Sequence, residues 1–287
     1  MTKPQTKPGT EPTSLGQPDP WHGLRRYTDA RVGQGRAGVS QTTREWLAFQ
    51  LDHARARDAI WQAVDFAPLQ QRIEALVDGP GCCQLSSACA DRASYLQRPD
   101  LGRQLSSASG QQLEQLAKQH KDATESPFDL AIVVADGLSA KAIECNAWPM
   151  LQHLLSQLQA DAQSWHLAPI SLVQQGRVAV GDEIGQRLQA DAVLLLVGER
   201  PGLSSPDSLG LYLTWHPRVG CTDERRNCIS NVRPQGLDYR QAALRALYLL
   251  SEARRRRLSG VELKEQAEQA APQALGSNFL LAGKTKS

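Results

Sequence analysis

The sequence predicts an α/β fold, a parallel sheet with helices on both faces, behind a helical N-terminal region and a disordered arm. Three observations carry this. From Ser109 onward, short and wholly apolar runs alternate with stretches of helical period. Glycine-rich turns follow several of those runs, as buried parallel strands feeding crossover helices require. At the other end, prolines at 4, 8, 12, 18 and 20 forbid a stable helix over residues 1–20, because each removes a donor and clashes with the preceding turn. The chain therefore reads as an arm over 1–20, a mostly helical region over 21–105 and a Rossmann-like α/β domain over 106–287.

Order is expected from Trp21. Thr42 to Trp61 is read as a helix: Thr42-x-x-Glu45 has capping-box form, and Leu47, Leu51, Ala54 and Trp61 recur on one face. Arg44, Asp52, Arg55 and Asp58 fill the other face. A second helix over Pro68–Val77 is stopped by Asp78-Gly79-Pro80-Gly81, and Tyr95 to Asp100 reads as a loop. Ser109 to His120 is a helix turning Leu113, Leu116 and Ala117 inward. Leu130–Ala135 is a buried strand ending at Asp136-Gly137. A helix from Ser139, bent near Pro149, continues through Leu154 and Leu158. Ala168–Val173, Ala192–Val197 and Leu209–Trp215 are further strands, and Asp182–Leu188 is a short helix. Residues 217–236 read as a long polar loop before a closing helix over Tyr239–Arg257.

Composition narrows the function. Lys and Arg total 32 against 30 for Asp and Glu, a net charge of +2, so no basic field for nucleic acid is expected. No apolar run approaches the ~20 residues of a membrane-spanning helix. The N-terminus has no apolar signal segment, so a cytoplasmic location and six reduced cysteines are expected, Cys82, Cys83 and Cys89 among them. None of the six forms CxxC, and His216, Cys221 and Cys228 lack a recognised metal spacing. Arg254 to Arg257 read as a solvated helix end.

In a parallel sheet, ligands lie outside the carboxyl ends of the strands. That directs attention to the turns at Asp136–Ser139, Gln174–Gly181 and Gly198–Gly202. Gly33-Gln34-Gly35-Arg36-Ala37-Gly38 matches G-x-G-x-x-G, but Arg26–Val32 before it is too polar for the strand a dinucleotide fingerprint needs, so it reads as a glycine-rich loop. In Asp136-Gly137-Leu138-Ser139 no G-x-S-x-G elbow is present, and Ser139 reads as a helix cap. Glu199 and Arg200 follow the most apolar strand directly. There Glu199 either accepts hydrogen bonds from a ligand's amides or pairs with a nearby arginine. No motif offers a catalytic base, nucleophile or metal site. Asp-x-His-x-x-Gly, by which some corrinoid domains displace the cofactor's own base, is absent.

Several segments together resemble the small subunit of ethanolamine ammonia-lyase. They are Thr28–Val32 with Gly35–Gly38, Arg98–Arg103, Asp136–Ser139, Gly176-Arg177-Val178, Asp182–Gly185, Leu196–Leu203 and Cys228–Asn231, in the family's order over roughly residues 25 to 257. The resemblance implies a lyase that converts ethanolamine to acetaldehyde and ammonia with adenosylcobalamin. It implies a separate large subunit that holds the substrate and most of the chemistry, while this chain covers the cofactor at the subunit interface. The family's cofactor-contacting positions fall on Val178, Glu199 and Cys228, with no catalytic residue in this chain. Relatives packaged in bacterial microcompartments carry an amphipathic targeting helix at this N-terminus, which the prolines argue against here. A nucleotide-binding α/β enzyme and a non-catalytic interaction subunit are the rival readings.

Overall fold

A computed structural model describes residues 19–28, 30–76, 79–123 and 126–263. They form two compact units. The first runs up to Trp61 and includes Pro201–Pro206; the second comprises Gln62–Arg200 and the chain from Asp207. The first 18 residues of the expected arm lie outside the described residues.

In the first unit a 3-10 turn over Pro20–Arg26, capped by Asp19, precedes helix α1 over Thr43–Trp61. Between them the Gly33–Gly38 segment is a loop, with Gly33, Gly35 and Gly38 all at positive φ. No strand leads into it, so it lacks the strand-to-helix turn that a phosphate cradle needs. Helix α1 forms as expected, but its face does not pack as expected. Leu47 and Leu51 are 62% and 50% exposed, Trp61 is 55% exposed, and the buried positions are Ala56 and Ala59. Helical period identifies an apolar face without saying what covers it.

The second unit is built on one six-stranded sheet of order β1-β3-β2-β4-β5-β6. The strands are β1 (Cys82–Ser86), β2 (Leu130–Ala135), β3 (Ile170–Gln174), β4 (Ala192–Gly198), β5 (Leu209–Trp215) and β6 (Arg226–Val232). The helices are α2 (Ala67–Glu74), α3 (Arg92–Gln97), α4 (Ser107–Ala123), α5 (Ala140–Ala160), α6 (Val180–Leu188) and α7 (Tyr239–Arg256). The pairs β1/β3, β3/β2 and β2/β4 are parallel. The sheet is not parallel throughout: β5 returns antiparallel to β4, and β6 antiparallel to β5. Too few residues separate β4 from β5 for the helical crossover that a parallel neighbour needs.

Three segments depart from the sequence reading. β1 comes from within the stretch expected to be mainly helical, and its half-buried cysteines hide the apolar run that marks a central strand. Tyr95–Gln97 belongs to α3, where Asp91 and Ser94 form a capping box, so the loop begins only at Arg98. β6 occupies the middle of the expected polar loop; as an edge strand it buries one face only, and its pattern is correspondingly weak. The remaining strands fall close to their expected limits. Ser139 caps α5 by accepting from the Ala142 amide at 3.1 Å, and α5 runs through Pro149 as one helix.

Alternate residues of β2 and β4 feed two cores. Leu130, Ile132, Val134, Leu194 and Leu196 pack with side chains of α5 and α7. Ala131, Val133, Ala135, Val193, Leu195 and Val197 pack with Leu113 of α4 and Ile184 of α6. The chain leaves β2 for α5 on one face and leaves β3 for α6 on the other. The adjacent carboxyl ends of β2 and β3 therefore form a switch point, where α/β sheets open a crevice. Among the described residues no helix is long and apolar enough to cross a membrane, and no group of three or more His, Cys, Asp or Glu could hold a metal ion.

Candidate functional site

At the carboxyl edge, three turns are tied together around Asp136, the residue that follows β2. Its carboxylate is 3% exposed and accepts from the Gly176 amide at 3.1 Å and from the Arg92 guanidinium at 3.2 Å. Arg92 also donates to the Gly137 carbonyl at 2.9 Å. Burial pushes the Asp136 carboxyl up to about 6, against the opposing pull of Arg92 and the surrounding amides. Gly137 adopts φ of +58°, and a Cβ there would collide with the Gly198 carbonyl, so only glycine lets the two turns touch. The Leu138 amide closes that contact by donating to Gly198 O at 2.9 Å.

Glu199 leaves β4 immediately after Gly198 and is half-buried. Its carboxylate accepts from the Ser208 hydroxyl and from the Asn231 amide at 3.3 Å. Among the described residues, these hydrogen bonds of the Glu199 carboxylate come from a serine and a backbone amide. Opposite, Gly210 has no side chain; a Cβ there would come within 2.8 Å of Glu199 Oε1. That missing side chain gives the carboxylate its room.

Cys228 lies on β6 directly across from Tyr212 of β5, and it is exposed. Burial pushes the Tyr212 phenol up, and the Cys228 thiol and the Glu199 carboxylate push it the same way. Glu199 and Cys228 thus both lie close to Tyr212. Val178, in the turn before α6, and Tyr212 are both partly buried against the same hydrophobic cluster, the one that includes Val193, Leu195 and Val197. Further down, α6 covers the sheet through a buried ion pair between Asp182 and Arg226, whose other guanidinium nitrogen donates to Asp223 at 2.6 Å. Beyond that pair the face carrying Cys228 and Ser230 is open.

Sequence reasoning missed Tyr212, Ser208 and Asn231, and it missed the Asp182–Arg226 pair. Tyr212 sits in a recognised strand, but its partner strand β6 was not recognised, so nothing placed Cys228 beside it. For Asp182 and Arg226, 44 residues apart, no local signal exists.

Comparison with known proteins settles the family. The model of the ethanolamine ammonia-lyase light chain (EutC) family matches residues 18–264. The ethanolamine ammonia-lyase small subunit of Ralstonia nicotianae is 55% identical over 263 residues, covering 92% of this chain and 94% of its own. That of Azotobacter vinelandii is 55% identical, covering 92% and 96%. That of Pseudomonas fluorescens strain Pf0-1 is 52% identical, covering 96% and 97%. With the match spanning both compact units and all three turns of the carboxyl edge, the chain belongs to the ethanolamine ammonia-lyase light-chain family.

Proposed function

We propose that this chain, as the small subunit of a two-subunit ethanolamine ammonia-lyase, binds adenosylcobalamin on the open face formed by Val178, Glu199, Tyr212 and Cys228. One observation supports the reading: Glu199, Tyr212 and Cys228, far apart in sequence, lie close together toward the carboxyl edge, where α/β folds bind ligands, and Cys228 is exposed. The donor set suits a corrin, whose rim bears many amide side chains. Glu199 is an acceptor for such an amide, held in place by Ser208 and Asn231. Val178 and the ring of Tyr212 offer apolar contact. Cys228, on a strand edge, places backbone and thiol near the ring without acting as a nucleophile. Bound there, adenosylcobalamin supplies the radical chemistry that converts ethanolamine to acetaldehyde and ammonia, and this chain binds, orients and excludes water.

The large subunit supplies substrate binding and catalytic residues in this reading. The exposed apolar side chains of the first unit, among them Trp46, Leu47 and Leu51, support a chain built to be covered by a partner.

The purified chain alone is expected to deaminate no ethanolamine, with activity appearing when large subunit and adenosylcobalamin are added. Turnover by the isolated chain would contradict the reading. In the complex, Glu199→Ala removes a charge-assisted hydrogen bond worth roughly 1.5–3 kcal/mol, weakening coenzyme affinity about ten- to a hundredfold. Unchanged affinity in an intact complex would remove Glu199 from the site.

A further inference from the structure

We propose that Asp136 is a positioning residue for the cofactor face, one buried carboxylate that fixes both the turn carrying Val178 and the turn that launches Glu199. The inference rests on the cofactor reading above and adds a residue that touches no ligand.

The two residues before Val178 are held by four hydrogen bonds. Gly176 donates its amide to Asp136 at 3.1 Å, and its carbonyl accepts from the buried Tyr95 hydroxyl at 3.4 Å. Arg177 donates its amide to the Gly102 carbonyl at 2.7 Å, and its guanidinium donates to the Tyr95 carbonyl at 3.0 Å. Both Arg92 and Arg177 stack on the Tyr95 ring, each 4.6 Å from its centre. Arg92 in turn reaches Asp136 and the Gly137 carbonyl. A single network therefore runs from Arg177 through Tyr95 and Arg92 to Asp136.

The second turn is linked through glycine. Gly137 touches Gly198 in backbone contact, and Gly198 has equally little room: a Cβ on it would meet the Asp136 carbonyl at 2.5 Å. Glu199 is the next residue. A shift of Asp136 is thus transmitted to both turns, because close-packed backbone leaves no slack to absorb it.

The acceptor, rather than the charge, does the positioning of Gly176. Asp136→Asn keeps a carbonyl oxygen for the Gly176 amide and loses the ion pair with Arg92; Asp136→Ala loses both. In the complete two-subunit protein, adenosylcobalamin is titrated against wild type and both variants by its visible spectrum, and thermal melting is recorded on the same samples. The expected result is an affinity about tenfold weaker for Ala and within about threefold of wild type for Asn. Affinity should follow the acceptor and not the melting temperature. Asp136→Leu, matched to Asn in size and without an acceptor, is read in place of Ala if Ala does not assemble. Equal affinities for the acceptor-bearing and acceptor-free variants overturn the inference. So does failure of both Ala and Leu to assemble where Asn assembles, which makes the residue a structural one. A wild-type complex that binds no corrinoid overturns the cofactor reading, and this inference falls with it.

Discussion

Helices α1 and α5 are alike in length and opposite in circumstance. Both are about twenty residues long, and both carry a regular apolar stripe. Helix α5 buries ten side chains, from Ala140 to Leu158, against the sheet and α7. Helix α1 buries two alanines and leaves Trp46, Leu47, Leu51 and Trp61 about half exposed or more. Burying a leucine stabilises by roughly 1.5–3 kcal/mol, so a stripe left in water forgoes a large part of a domain's net stability. A helix that leaves such a stripe exposed among the described residues is a candidate surface for the partner proposed above. The contrast separates a region with a core of its own from one that leaves its apolar side chains exposed.

The largest test of that contrast is in α5. Leu154 is fully buried between the sheet and the neighbouring helices, so Leu154→Ala leaves a cavity and should cost about 2–5 kcal/mol in denaturant unfolding of the isolated chain. The matching change in α1, Leu47→Ala, should stay within about 0.5 kcal/mol in the same experiment. Comparable losses would mean that α1 is covered within the chain in solution.

A smaller effect is expected where assembly is measured instead. Leu47→Asp combined with Leu51→Asp should leave melting of the isolated chain nearly unchanged. It should weaken association with the large subunit by at least about tenfold, since each leucine loses the burial that assembly supplies. Sedimentation of the mixed subunits reads this directly. Intact association would place the partner's contact elsewhere and break the comparison.

The two regions also differ in how far they could be read from sequence. The central strands β2 and β4 were legible because they are buried on both faces, which writes an unbroken apolar run. The edge strands β1 and β6 were not, because a half-buried edge needs no such run, and Cys228 was consequently expected in a loop. At the site, Val178, Glu199 and Cys228 came from family resemblance. The turns bearing Val178 and Glu199 were also picked out by their position after strands. Their neighbours Tyr212 and Gly210, beside Glu199 and Cys228, and Asp136, bonded to the turn before Val178, are set by register and close approach. Such contacts depend on which strands become neighbours and leave no mark in any local window. In α1 the failure was of another kind: the helix formed as its period predicts, but period alone does not say what, if anything, packs on the apolar face.

The smallest effect concerns the buried charge of the second unit, which the exposed stripe of the first has no counterpart for. Desolvation raises the folded-state pKa of Asp136 to about 6, above its ordinary value of 3.8. Between those values the folded chain binds more protons than the unfolded chain, so the contribution of this group to stability rises as pH falls. Above pH 6 the buried carboxylate is a standing cost, on the order of 3 kcal/mol for a shift of about two units. From pH 7 to pH 5 roughly 1.3 kcal/mol of that cost should be relieved. Stability of the wild-type chain relative to Asp136→Asn should therefore improve over this interval, because Asn has nothing to titrate. Leu47→Ala in α1 should show the same pH dependence as wild type. Denaturant unfolding at each pH measures all three. A constant or opposite difference between wild type and Asp136→Asn would show that Arg92 and the Gly176 amide fully offset the burial, leaving the carboxylate at no net cost.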